Sequence, residues 1–208
     1  MLPQKHYTYL WVVLLAFTLN ACTPDDGPQP CNSTNTYFNL TTEQLNKTPY
    51  FTNPLFDTIS FASNKGDTLT FALTKIDTTY FTQDANTNPN NLCSFWEHYQ
   101  NITAKYTTIK GVGSFEVGVN LKSLNINVPT IKIYFNSYEF TYGLNEINNK
   151  AYVGYVGNLK VINFNYTNVL YEFNRFNQPN IKGYLNNEFG LIFITDSTSN
   201  LTYHFLNH

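Results

Sequence analysis

The chain has 208 residues, of which 42% are hydrophobic, 17% aromatic and only 12% charged, with a formal net charge of −2. So high an apolar fraction with so few charges excludes a disordered, collagen-like or coiled-coil chain. One Arg (Arg175) and 12 basic residues against 14 acidic ones leave no cationic patch to displace phosphate counterions, which excludes a nucleic-acid partner.

In chain order, the first feature is the apolar stretch Leu10–Leu19. As a helix it spans only ~15 Å, against a hydrocarbon core of ~30 Å, so it is too short for a transmembrane anchor. Lys5 and His6 precede it and a small-residue site follows, the three-part layout of a secretory signal. The site itself, Leu19-Asn20-Ala21-Cys22, resembles the lipobox of bacterial lipoproteins, although Asn20 departs from the usual small or apolar residue. That resemblance implies a signal peptide over residues 1–21 and an acylated Cys22 as the first residue of the processed chain. Residues 22–36 follow as a Pro-rich stretch that suits an extended tether. Its acidic pair Asp25-Asp26 resembles the export signal of Bacteroidetes lipoproteins, which implies the outer face of the outer membrane rather than the periplasm.

Three cysteines are an odd count for an exported chain, and one thiol is left over. With Cys22 taken by lipid, Cys31 and Cys93 remain as an even pair, for which an oxidising compartment favours a disulfide. Such a bond would close a loop of about sixty residues and stabilise the fold by roughly 4 kcal/mol in the chain-entropy model. The alternative is two buried cysteines that never meet.

Residues 37–208 form one domain of strands. Phe115, Val117, Val119 and Leu121 alternate with Glu116, Gly118, Asn120 and Lys122, the period of a half-buried strand. The same alternation runs through Leu124–Val128, Ile131–Phe135, Ile162–Tyr166, Val169–Phe173 and Leu201–Phe205. Turn-formers separate these runs at short intervals, which predicts an all-β fold: a single antiparallel domain, either a sandwich or a curved meander closing into a half-barrel. Helical spacing is confined to short pieces near Thr42–Asn46 and Leu92–Gln100.

Asp57-Thr58, Asp67-Thr68 and Asp77-Thr78 recur at a spacing of ten residues, which predicts a three-stranded meander with an Asp at each turn and Asn64-Lys65-Gly66 as one tight reversal. These dipeptides, together with Asp196-Ser197, also resemble the O-glycosylation sequon of Bacteroidetes, which makes Thr58, Thr68, Thr78 and Ser197 candidate sugar acceptors. The segment from Ile181 to Tyr203 resembles the closing hairpins of uncharacterised Bacteroidetes secreted lipoproteins: an aromatic strand, a polar turn, a Gly-aliphatic strand opened by Gly190, and a final aromatic strand.

Chemistry is hard to find. No Gly-x-Ser-x-Gly elbow, phosphate loop or His-x-Glu-His is present, and no helix places two His at i and i+4, so the expectation is no catalytic residue, no metal and no cofactor. Glu97 and His98 are adjacent, and on a strand they point to opposite faces and cannot share an ion. A carboxylate pair for glycan hydrolysis would have to come from Glu116, Glu139, Glu172 or Glu188, and nothing in the sequence brings two together. The expected function is therefore a lipid-anchored surface module with a glycan or protein partner. Two alternatives stand beside it: a periplasmic carrier with an apolar ligand in a concave sheet, and a glycan hydrolase.

Overall fold

The computed structural model describes residues 33–85, 93–121, 129–144, 154–174 and 178–206. These fold into one curled sheet that forms a half-barrel. Its strands are β1 (Thr34–Phe38), β2 (Thr58–Ser63), β3 (Thr68–Asp84), β4 (Phe95–Lys110), β5 (Phe115–Asn120), β6 (Thr130–Phe135), β7 (Tyr138–Gly143), β8 (Tyr155–Val161), β9 (Phe164–Asn174), β10 (Gln178–Asn186), β11 (Gly190–Asp196) and β12 (Leu201–Phe205). Across the sheet they run β7-β6-β5-β4-β3-β2-β12-β11-β10-β9-β8, each antiparallel to its neighbour. The remaining strand, β1, pairs in parallel with the start of β4. Its first residue, Thr34, falls inside the stretch expected to be tether, so the sheet begins ahead of residue 37.

The expected all-β class is the observed one, and the alternating runs from Phe115, Ile131, Val169 and Leu201 are strands. The run Leu124–Val128 lies outside the described residues. Three details differ. Ile162 does not continue a strand: it opens the two-residue turn between β8 and β9. Residues 95–100 are strand rather than helix, because Trp96–Gln100 pair with β3 on one side and Phe95–Tyr99 pair with β1 on the other. The third Asp-Thr repeat is not a turn. Asp57 and Asp67 do precede the hairpin strands β2 and β3, but Asp77 lies in the middle of β3, opposite Thr103. The reason is local: Ala72-Leu-Thr-Lys-Ile76 contains no Gly or Asn that could reverse the chain, whereas Asn64-Lys65-Gly66 does, with Gly66 at φ +91°. The expected helix near Thr42 is present as α1 (Thr42–Leu45), where Thr41 and Gln44 cap each other reciprocally.

The concave side of the half-barrel is filled with rings. Phe61, Phe71, Phe115 and Phe135 are buried, with centroids 5.0–6.4 Å apart, and Tyr50 and Tyr106 pack against Phe115. Such pairs at offset or edge-on angles add about 0.5–1.5 kcal/mol each beyond area burial. Curling also lays β7 across the concave side of β10 and β11. The Tyr142 hydroxyl donates to the Gly183 carbonyl at 2.9 Å, and the Tyr138 hydroxyl donates to Asp196 Oδ2 at 3.2 Å. Phe140 sits directly on Gly183, where a Cβ would come within 2.7 Å of the ring. Gly190 serves the other end of this layer. At φ +68° it opens β11 and leaves room for the Tyr50 hydroxyl, which accepts the Leu191 N–H at 2.6 Å.

Candidate functional site

The hairpin of β3 and β4 is much longer than its neighbours. Its core end is covered on both sides: Thr58–Ala62 of β2 pair with Thr68–Ala72, and β5 pairs with Asn101–Tyr106. Beyond Leu73 no strand pairs with the outer edge of β3 among the described residues, and the ribbon projects as a three-stranded tip made of β3, β4 and β1.

Residues opposite one another in a ladder share a face. Ile76 opposes Ala104 and Thr78 opposes Ile102, so the concave face continues outward through Tyr80, Thr82 and Asp84 on β3, then Gln100, His98 and Trp96 on β4. β1 adds Tyr37 beside His98 and Asn35 beside Trp96. At the core end the same face is apolar and buried; at the tip it is aromatic and open. Tyr37 is 57% exposed, Tyr80 42% and Trp96 38%, which makes the tip a surface of three accessible rings rather than a packed layer.

Stacking and hydrogen bonds hold Tyr37 and Tyr80. His98 stacks on Tyr37, with centroids 4.3 Å apart and planes 12° from parallel, and Tyr80 meets Tyr37 at 90° and 5.6 Å. His98 Nε2 lies 3.0 Å from Asn35 Oδ1, which can only accept, and Nδ1 pairs with the Thr82 hydroxyl at 2.9 Å. The Tyr80 hydroxyl donates to Asn39 Oδ1 at 2.8 Å, and Gln100 Oε1 accepts the Leu40 N–H at 2.7 Å. Both exposed asparagines are therefore held through their carbonyl oxygens. On the opposite face of the tip, Phe38 stacks on buried Tyr99, whose hydroxyl donates to Glu97; burial, then Glu97, pushes this phenol up to about 12. Glu97 and His98 thus point to opposite faces and serve separate clusters.

The other candidate residues are dispersed. An open cleft of about 520 Å³ on the convex side is lined by Thr74, Lys105, Ser114, Glu116 and Tyr134, with Glu116 as its one carboxylate. Glu139 is buried and sits 3.6 Å from Lys132 Nζ. Glu172 lies in β9, and Glu188 lines a separate cavity of about 260 Å³ with Phe56, Phe189 and Phe205. Neither of these two cavities is lined by more than one of the four carboxylates. Nor does any group of three potential metal ligands occur among the described residues. A second aromatic row, Tyr171-Tyr184-Phe193, crosses the convex side of β9–β11, but its rings pack on one another and Lys182 covers Tyr171 and Phe173 at 5.2 Å.

Thr58 and Thr78 are exposed, Thr68 is half-buried, and the Ser197 hydroxyl at the β11–β12 turn donates to the Asn180 carbonyl at 3.1 Å. Only Thr78 lies mid-strand. Cys93 is half-buried, immediately ahead of β4, and has a bonding partner; Cys22 and Cys31 lie outside the described residues. No described helix is long and apolar enough to cross a membrane. The tip was not singled out by sequence, although a signal existed: Tyr80, Thr82 and Asp84 alternate as a face with no aliphatic residue, unlike Leu69 and Phe71 further back. No known family, curated protein or solved structure matches the chain.

Proposed function

We propose that the protein is a lipid-anchored module of a bacterial envelope, exposed at the cell surface, that binds a partner and performs no catalysis. The observation that carries this reading is the projecting tip of β1, β3 and β4, with three accessible rings, of which Tyr80 is held by a hydrogen bond and Tyr37 by its stack on His98. Fixing rings in place before a partner arrives lowers the ordering cost of association. The residues upstream of Thr34 carry the lipobox-like Cys22 and the tether, so the chain enters the sheet through the strand that supplies Tyr37.

The carrier alternative is weaker. The concave side is filled by Phe61, Phe71, Phe115 and Phe135, and the apolar cavity beside Phe205 measures about 260 Å³. That is below the ~300–1,000 Å³ of ordinary small-molecule sites.

The Cys31–Cys93 disulfide belongs to the same proposal. Thr34 N–H donates to the Ser94 carbonyl at 3.3 Å, and the parallel register pairs Thr34 with Phe95. The disulfide would staple the tether to the ribbon.

Intact mass and metabolic labelling of the native full chain test the anchor. A diacylglyceryl or fatty-acyl mass that disappears in Cys22→Ala supports it; a Cys22→Ala variant that still takes up labelled fatty acid overturns it. Non-reducing peptide mapping that finds Cys31 and Cys93 both as free thiols overturns the staple.

A further inference from the structure

The chemistry of the tip narrows the partner. No Lys or Arg stands on its concave face among the described residues, and Asp84 is its one carboxylate. The nearest cations, Lys75 and Lys105, belong to the other face, where both bind Asp77, at 2.5 Å and 3.4 Å. An anionic polymer would meet no Lys or Arg among the described residues of this face, and a strongly cationic one would meet a single acid there.

What the face does offer is flat aromatic surface beside hydrogen-bond donors. Tyr37 and Tyr80 meet at a right angle and form a corner open to solvent. The NH2 groups of Asn35 and Asn39, oriented by the bonds their carbonyl oxygens accept, flank that corner along β1 and just beyond it. Trp96 lies two residues along β4 from His98, about 7 Å away at strand spacing. Apolar C–H faces and equatorial hydroxyls, alternating along a chain, match such a row of rings and amides. Hydroxyl oxygens accept from the amides, and the rings take the C–H faces.

We infer that this tip is a binding site for neutral oligosaccharide, with a sugar ring packed in the corner of Tyr37 and Tyr80 and a further ring toward Trp96. The inference rests on the binding-module reading above and deepens it. It is independent of the anchor, so lipidation can fail while sugar binding stands, and the reverse.

The test uses the purified full chain on immobilised cello-, manno- and N-acetylchito-hexaoses, with hexagalacturonate as the anionic comparison. The expected result is retention on at least one neutral hexaose and none on hexagalacturonate. Tyr37→Ala weakens that retention at least tenfold, Tyr37→Phe leaves it within about twofold, and Asn35→Ala weakens it severalfold. Phe81→Ala, on the opposite face, leaves it unchanged. Near-ultraviolet circular dichroism and the thermal midpoint confirm that each variant is folded, and should Tyr37→Ala fail to fold, Trp96→Ala takes its place. Binding to none of the neutral hexaoses, binding to hexagalacturonate alone, or retention indifferent to Tyr37, Trp96 and Asn35 in folded variants overturns the proposal.

Discussion

The two ends of the β3–β4 ribbon are built from the same two strands, yet one is core and the other surface. At the core end Leu69, Phe71, Ala104 and Tyr106 are buried; at the tip Tyr80 and Trp96, on the same face, are open. The backbone pairing is continuous apart from bulges near Phe71 and Leu73, so strand geometry does not separate them. Cover does. Phe61 of β2, Phe115 of β5 and Phe135 of β6 close over the core end, whereas at the tip Tyr80 stays 42% and Trp96 38% exposed. Burial is a property of the second layer, and alternation alone states only which residues are candidates for it.

Mutations sharpen this contrast. Phe115→Ala removes the ring that touches Tyr50, Phe61, Phe71, Tyr106 and Phe135, and is expected to destabilise by about 3–5 kcal/mol, read from the urea midpoint at constant slope. Gly190→Ala combines a left-handed backbone position with a methyl driven into Tyr50; a loss of about 2–3 kcal/mol is expected in the same assay. If either change were as mild as a substitution at the tip, the division into core and surface ends would be wrong.

Smaller effects lie at the margins. Ile162, at φ +54° and first in the two-residue β8–β9 turn, is a β-branched residue where such turns favour Gly, so Ile162→Gly is expected to stabilise by about 0.5–1 kcal/mol. Asp196 is held below the usual carboxylate range by the hydroxyl of Ser199, then by the N–H groups of Ser199 and Thr198 and the Tyr138 hydroxyl. A depressed folded pKa contributes stability that is complete above the unfolded value of about 4 and is lost as pH falls through the lower folded value. Denaturation midpoints measured across that window are expected to fall less steeply in Asp196→Asn. The smallest effect is at the tip itself: Phe81→Ala, 59% exposed, should change stability by less than about 0.5 kcal/mol, checked by thermal melting.

Much of the sheet was legible because the domain writes its strands as strict alternation, and Phe115–Leu121 and Leu201–Phe205 are unambiguous by that measure. The misreadings share a cause. Asp77-Thr78 copies the local pattern of two real strand starts, but a turn also needs a residue able to reverse the chain, and none stands before it. Thr34–Phe38 carries no periodic signal of its own and becomes a strand through its pairing with β4, a contact about sixty residues away along the chain. The tip required the same long-range knowledge. Tyr37, Tyr80 and His98 come from three separate strands, and their corner exists only once a parallel strand is added to the ribbon's edge.

That parallel strand also sets how the domain meets mechanical load. Tension passed into β1 from its N-terminal side runs along the strand, so its ladder with β4, from Thr34–Phe95 to Phe38–Tyr99, is sheared as a unit instead of being unzipped one rung at a time. Because Tyr37 rides on the same strand, any load on its ring passes into the same short ladder.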